Sequence, residues 1–221
     1  MRIRALLHIA GISAALAVSG CGCEPSIAPV RSLNFFVTDS TARLDSSLAG
    51  TWVWSPAATG DSCDTYSAWT VTLNGDSYRF TPTPESTAVG RNEEQAASLR
   101  GLLTTIGAHD YLDVWMDSDD PGLLLPVHQL VRIDRRGDTL TVVTLAYLAF
   151  ADSTAWNDIA HAQVERDGRI LTASTAELRD WIERRFKTSA FATDHSTTHP
   201  YQRAVYVRMA SPDSVLKWPR R

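Results

Sequence analysis

At 221 residues with 44% apolar content, the chain has room for one ordinary domain plus tails and is too hydrophobic for a disordered protein. The formal charge is −4, and losing Arg2 and Arg4 with a cleaved leader takes the 21 basic residues to 19 against 25 acidic ones, a net −6. That balance excludes the basic field that a nucleic-acid-binding surface requires.

Arg2 and Arg4 open the chain and a mostly apolar run follows from Ala5 to Val18. Such a run reaches only about 21 Å as a helix, short of the roughly 30 Å hydrocarbon core, so it reads as a signal region and not a spanning helix. Val18-Ser19-Gly20-Cys21 resembles the lipobox of bacterial lipoproteins. The resemblance implies a signal peptide over residues 1–20, cleavage before Cys21 and diacylglycerol on its thiol; the plain alternative is an ordinary secretory signal ending near a cysteine. Gly22 stands where an Asp would resemble an inner-membrane retention signal, so a cell with two membranes would place the protein on the outer one, facing the periplasm. Two acyl chains suffice for stable anchoring. With Cys21 set aside, Cys23 and Cys63 remain, an even pair in an oxidising compartment: either a disulfide or two unpaired thiols.

Residues 21–46 read as a lipid-anchored tether whose one apolar cluster, Leu33 to Val37, can lie on the domain. Structure is expected over 47–187. Leu48 to Trp54 alternates as a half-buried strand. Ala68 to Leu73 and Ser77 to Thr81 flank Asn74-Gly75, the strongest hairpin signal in the chain. Ser98 to Ile106 and Tyr111 to Met116 follow, joined near Gly107. Val127 to Asp134 and Thr139 to Leu145 flank a turn at Arg135 to Asp138. Ala146 to Ile159 reads as a short helical connection, and Ala162 to Arg166 with Arg169 to Thr172 as a last hairpin around Asp167-Gly168. Ser174 to Glu177 fits a capping box, after which Leu178, Trp181, Ile182 and Phe186 fall at helical spacing. Residues 188–221 form a polar tail in which Ala204 to Met209 is a candidate final strand. Many short strands, hairpin turns and one late amphipathic helix predict a mainly β fold: an antiparallel barrel or strongly curved sheet with a C-terminal helix.

Leu48 to Trp52, Tyr111 to Val114, Leu125 to His128 and Ile170 to Ala173 before Glu177-Leu178 resemble, in their order, a widespread set of uncharacterised bacterial envelope lipoproteins with a lipocalin-like (calycin-type) barrel. The resemblance covers roughly Leu48 to Phe186. Gly50-x-Trp52 is also similar to the lipocalin opening, which implies a tryptophan closing the barrel base. Both likenesses imply fold more than function.

Several side chains invite chemistry. His109, Asp113 and His128 would form an acid–base or metal group if the strands converge, the plain alternative being a buried Asp and His that satisfy backbone groups at a barrel rim. Alternation puts His109, Tyr111 and Asp113 on one face. His161 would join His128 or make a structural hydrogen bond. Asp194-His195 and His199 have helical metal-pair spacing in loop-like surroundings. There is no Gly-x-Ser-x-Gly elbow and no Gly-rich phosphate loop. No metal or other cofactor is called for, and the leading expectation is a non-enzymatic binding or support protein at the envelope; the rival is a hydrolytic or metal-dependent enzyme using His109, Asp113 and His128. Asp113 and His128 are the candidates for a ligand mouth, because each interrupts an apolar strand. Among seven tryptophans, Trp52 and Trp115 are the candidates for facing an apolar ligand, unless they only fill the barrel. The expected partners are the membrane, through lipid on Cys21, and a small apolar ligand or an envelope protein.

Overall fold

The computed structural model describes residues 30–55, 68–83, 98–117, 127–144, 156–164, 168–186 and 203–210. Seven strands follow one another as an antiparallel meander: β2 (Gly50–Trp54), β3 (Ala68–Asn74), β4 (Ser77–Pro82), β5 (Leu99–Ile106), β6 (His109–Met116), β7 (His128–Arg136) and β8 (Thr139–Thr144). The eighth stave is β11 (Arg203–Met209), which pairs antiparallel with both β8 and β2 and closes an antiparallel barrel. The strand expected inside the polar tail is thus part of the barrel wall. Closure removes the free edges that a sheet of this width would expose.

Alternation gives every stave an inner and an outer face. Trp52 and Trp54, Val71, Tyr78, Leu103, Leu112 and Val114, Val131 and Ile133, Leu140, and Ala204 and Tyr206 form one buried cluster contributed by all eight staves: the barrel interior. Gly101 lies at a close approach in the wall. A Cβ there would come within 2.9 Å of Phe80 and 3.2 Å of Val114, so the glycine makes room for the Phe80 ring.

A second core lies outside the barrel. Ile106, Tyr111 and Leu130 on the outer faces of β5–β7 pack with Val30, Phe36, Trp156, Ile159 and Leu171, and with Leu178, Trp181 and Ile182 of the helix α1 (Thr175–Phe186). Each fully buried side chain of this size contributes about 1.5–3 kcal/mol relative to exposure, enough to hold a single helix against the wall. The capping box is formed: the Ser174 N–H donates to Glu177 Oε2 at 2.8 Å, and the Glu177 N–H reaches Ser174 Oγ at 3.4 Å. Arg179 then donates to the Phe36 carbonyl (3.3 Å), Thr104 Oγ1 (3.2 Å) and the Thr105 carbonyl (3.3 Å).

Beside this core a small flap extends the sheet from β7. The short β1 (Arg31–Ser32) pairs antiparallel with His128 and Gln129 and parallel with β10 (Gly168–Leu171), which pairs with β9 (His161–Val164). Residues 30–45, expected as tether, therefore belong to the fold. After β1 the chain turns at Leu33–Phe35 and runs down the outer wall as a strap. Phe36 is buried, Arg43 bridges to Leu103, and the Asp45 N–H donates to Tyr78 Oη at 2.5 Å. The strap enters the barrel base through a 3-10 turn at Ser46–Leu48. A Phe-Phe doublet in a polar stretch was the available signal, because a tether has no use for a fully buried aromatic.

Candidate functional site at the barrel mouth and outer wall

The two barrel ends are unlike. At one end β3–β4, β5–β6 and β7–β8 are joined by tight turns at Gly75, Gly107 and Gly137, each with φ near +60°. The 3-10 turn also lies there and closes the base with two side chains. Trp52 Nε1–H donates to the Leu48 carbonyl at 2.8 Å, and Arg208 lies over the Trp52 ring while donating to the Ser47 carbonyl. Gly50 fits this corner: its φ of +141° suits glycine, and a Cβ would meet the Arg208 guanidinium at 3.6 Å. Trp52 therefore stands inside the barrel at its base, away from the far end.

At the opposite end the staves are joined by the longer connections 56–67, 84–97 and 118–126, and the chain leaves β8 and re-enters β11 there. The inner faces at this end present Trp54, Trp69, Phe80, Val114 and Gln129; Trp69 and Phe80 are only half-buried. Among the described residues no turn plugs this end, the open end of the described wall, and its inner faces are mostly apolar, with Gln129 and Thr144 as polar side chains.

Asp113 and His128 lie elsewhere than expected. On β6, Leu112 and Val114 point inward, so Asp113 and Trp115 stand on the outer wall; on β7, Val131 and Ile133 point inward, so His128 is on the outer wall too. The two meet there: His128 Nδ1 and Asp113 Oδ1 are 3.0 Å apart, both side chains at most 1% exposed. The strap covers them. The Phe36 N–H donates to Asp113 Oδ2 at 2.7 Å and the Val37 N–H also reaches this carboxylate. Burial pushes the Asp113 carboxyl above its usual range, opposed by His128 and the two backbone donors. His128 Nε2 is buried without a hydrogen-bond partner, facing the aromatic cluster of Phe35 (ring centroids 4.0 Å apart) and Trp115 (5.3 Å). The pair is thus a buried clasp for the strap and not a ligand mouth. Trp115, outside the barrel, packs against Phe35 with centroids 5.4 Å apart and under Arg100 at 5.8 Å, so it does not line the interior.

His109 shares the outer face with Tyr111 and Asp113, as alternation implied, but stands four residues along the strand, about 13 Å at roughly 3.3 Å per residue. The three side chains of the enzyme rival do not converge. His161 is separated from β7 by β1 and β10; its Nδ1 lies 3.0 Å from the Ile159 carbonyl and its ring packs on Trp156. Among the described residues no group of three or more His, Cys, Asp or Glu could hold a metal ion, and no helix is long and apolar enough to cross a membrane. Cys21, Cys23, Cys63, His195 and His199 lie outside the described residues.

Sequence reasoning missed Arg208, which has no local signal because its partner is 156 positions away; the apolar cluster holding Phe35 was expected to lie on the domain, but its partner Trp115 was not legible. Comparison with protein-family models, curated proteins and solved structures finds no match to this chain.

Proposed function

We propose that this chain is a lipid-anchored envelope protein whose barrel binds a small apolar ligand through its open end, without catalysing a reaction on it. The observation that carries the reading is the asymmetry of the barrel. Tight turns and the Trp52–Arg208 pair close the base, while half-buried Trp69 and Phe80 stand inside the opposite end, with the buried Gln129 on the facing wall. An apolar lining with few polar groups suits acyl or other hydrocarbon-rich ligands. The leader and Val18-Ser19-Gly20-Cys21 support anchoring by lipid, on the periplasmic face of an outer membrane where the cell has one. The non-enzymatic part of the reading is supported by the clasp: Asp113 and His128, the best acid–base candidates, are buried in holding the strap.

A second reading, structural support with no ligand, is favoured by the large side chains already inside, Trp52, Trp54, Tyr78 and Tyr206 among them. Native mass spectrometry of the full chain purified from membranes separates the two. The binding reading expects a stoichiometric apolar species that Trp69→Arg removes. Recovery of the chain without any such species, and no uptake of added fatty acid, favours support alone.

A further inference from the structure

We propose that the rim of the open end around Leu33, Phe35 and Trp115 is a membrane-contact face, seated among the headgroups of the bilayer that anchors the chain, so that the barrel opens toward the membrane. The inference rests on the lipid-anchor reading above.

Three observations converge on this face. The first is the apex of the strap. Ser32 pairs with His128 at the start of β7, so Leu33 and Phe35 stand level with the rim, and they are 37% and 42% exposed. Single exposed apolar residues need no explanation, but Phe35 is part of a fixed cluster. Its ring is held edge-on to Trp115 and against His128, so the aromatic surface is rigid and loses little freedom on binding. The second is composition. Arg100 lies over the Trp115 ring and donates to Ser77 Oγ at 3.2 Å, which holds the indole against the wall. A fixed pair of aromatic side chains is the kind of group that settles at a bilayer interface, with its rings at headgroup level.

The third is the position of the tether. Residues 21–29 separate Cys21 from Val30, and at no more than about 3.6 Å per residue they span about 30 Å. The described chain begins beside the open end, where Arg31 pairs with Gln129. The nine residues of β7, at roughly 3.3 Å each and tilted by about 40°, make the barrel wall about 22 Å tall. With the base toward the membrane, the tether would spend most of its reach descending that wall. With the rim toward the membrane, it starts at the right level.

The test uses the full lipidated chain reconstituted in phosphatidylcholine–phosphatidylglycerol vesicles containing a lipid with a photoactivatable diazirine in its acyl chain. Cross-linked sites are mapped by mass spectrometry, and acylation of Cys21 is read from the same digests. Labelling is expected at Leu33–Phe35 and at Trp115. Phe35→Ser should lower it at Trp115 by about fivefold while Cys21 stays acylated, because the buried apolar area sets interfacial binding. Phe35→Leu, which keeps an apolar side chain, should restore most of it. An acylated chain labelled instead at the base turns around Gly75 and Gly137, or nowhere on the barrel, overturns the rim proposal and leaves the anchor standing. A chain that carries no acyl group on Cys21 removes the anchor, and this inference falls with it.

Discussion

The guanidinium carbon of Arg208, near the end of the last stave, lies 4.7 Å from the ring centroid of Trp52 in the first stave of the barrel. The same arginine donates to the Ser47 carbonyl, and Trp52 donates to the Leu48 carbonyl, so two side chains tie both ends of the barrel meander to the turn that plugs it. Such a contact sets the fold's closure, not its ligand. Trp52→Ala should cost about 3–5 kcal/mol by opening a cavity at the base. Arg208→Met, which keeps much of the packing and loses the charge, should cost less, about 1–2 kcal/mol, from a lost charged hydrogen bond and cation–π contact. Urea midpoints of the full chain check both. A Trp52→Ala protein as stable as the parent would contradict the assignment of this residue to the base.

Removing Asp113 should release the strap. Asp113→Ala leaves His128 and the Phe36 and Val37 amides without their shared acceptor in a buried site, a loss of about 3–5 kcal/mol. Hydrogen exchange at the amides of residues 36 and 37 should accelerate more than exchange in β3, which lies on the far side of the barrel.

The same carboxyl predicts a sign for pH dependence. Burial raises the Asp113 pKa in the folded chain, so between its unfolded and folded values the native state holds more protons than the unfolded state. Its contribution is complete below the ordinary carboxylate pKa, about 3.9, and is lost as pH rises through the folded value. Asp113→Asn should remove that component, so the stability of the parent relative to this variant should fall as pH rises above about 4. A parent that gains on the variant across that range would show that the carboxyl is held below its usual pKa, not above it.

Gly101→Ala tests how tightly the wall is packed. The added methyl would sit 2.9 Å from the rim of the Phe80 ring, a group with little freedom to move, and overpacking of this kind costs about 1–3 kcal/mol. Pairing it with Phe80→Leu should recover part of the loss, and a double variant no better than Gly101→Ala would place the strain elsewhere.

Much of this architecture was legible because it is local. Asn74-Gly75 and the turn before Thr139 gave hairpins whose strands form near the expected bounds, and Ser174–Glu177 gave a capping box that forms. The last strand, Arg203–Met209, was visible as an alternating run, but its place between β8 and β2 was not, since barrel closure is a relation between distant segments. The site was harder. Alternation correctly grouped His109, Tyr111 and Asp113, yet a strand pattern does not say which face is the inside of a barrel when both are covered. Here α1 and the strap bury the outer wall of β5–β7, so Asp113 and His128 look like interruptions of an apolar interior while they stand outside it. The strap itself was obscured by its Ser/Thr-rich composition, which reads as linker.

The proposed function is tested most directly by binding of a fluorescent fatty acid to the full chain and to two variants with opposite expectations. Trp69→Arg places a charge at the open end, and Asp113→Asn alters only the outer wall. The account predicts saturable binding by the parent, retained within about threefold by Asp113→Asn and weakened at least about thirtyfold by Trp69→Arg, as expected when a charge must be buried against an apolar ligand. Equal binding by Trp69→Arg and the parent, or loss in Asp113→Asn alone with the fold intact, would contradict a ligand site inside the open end of the barrel.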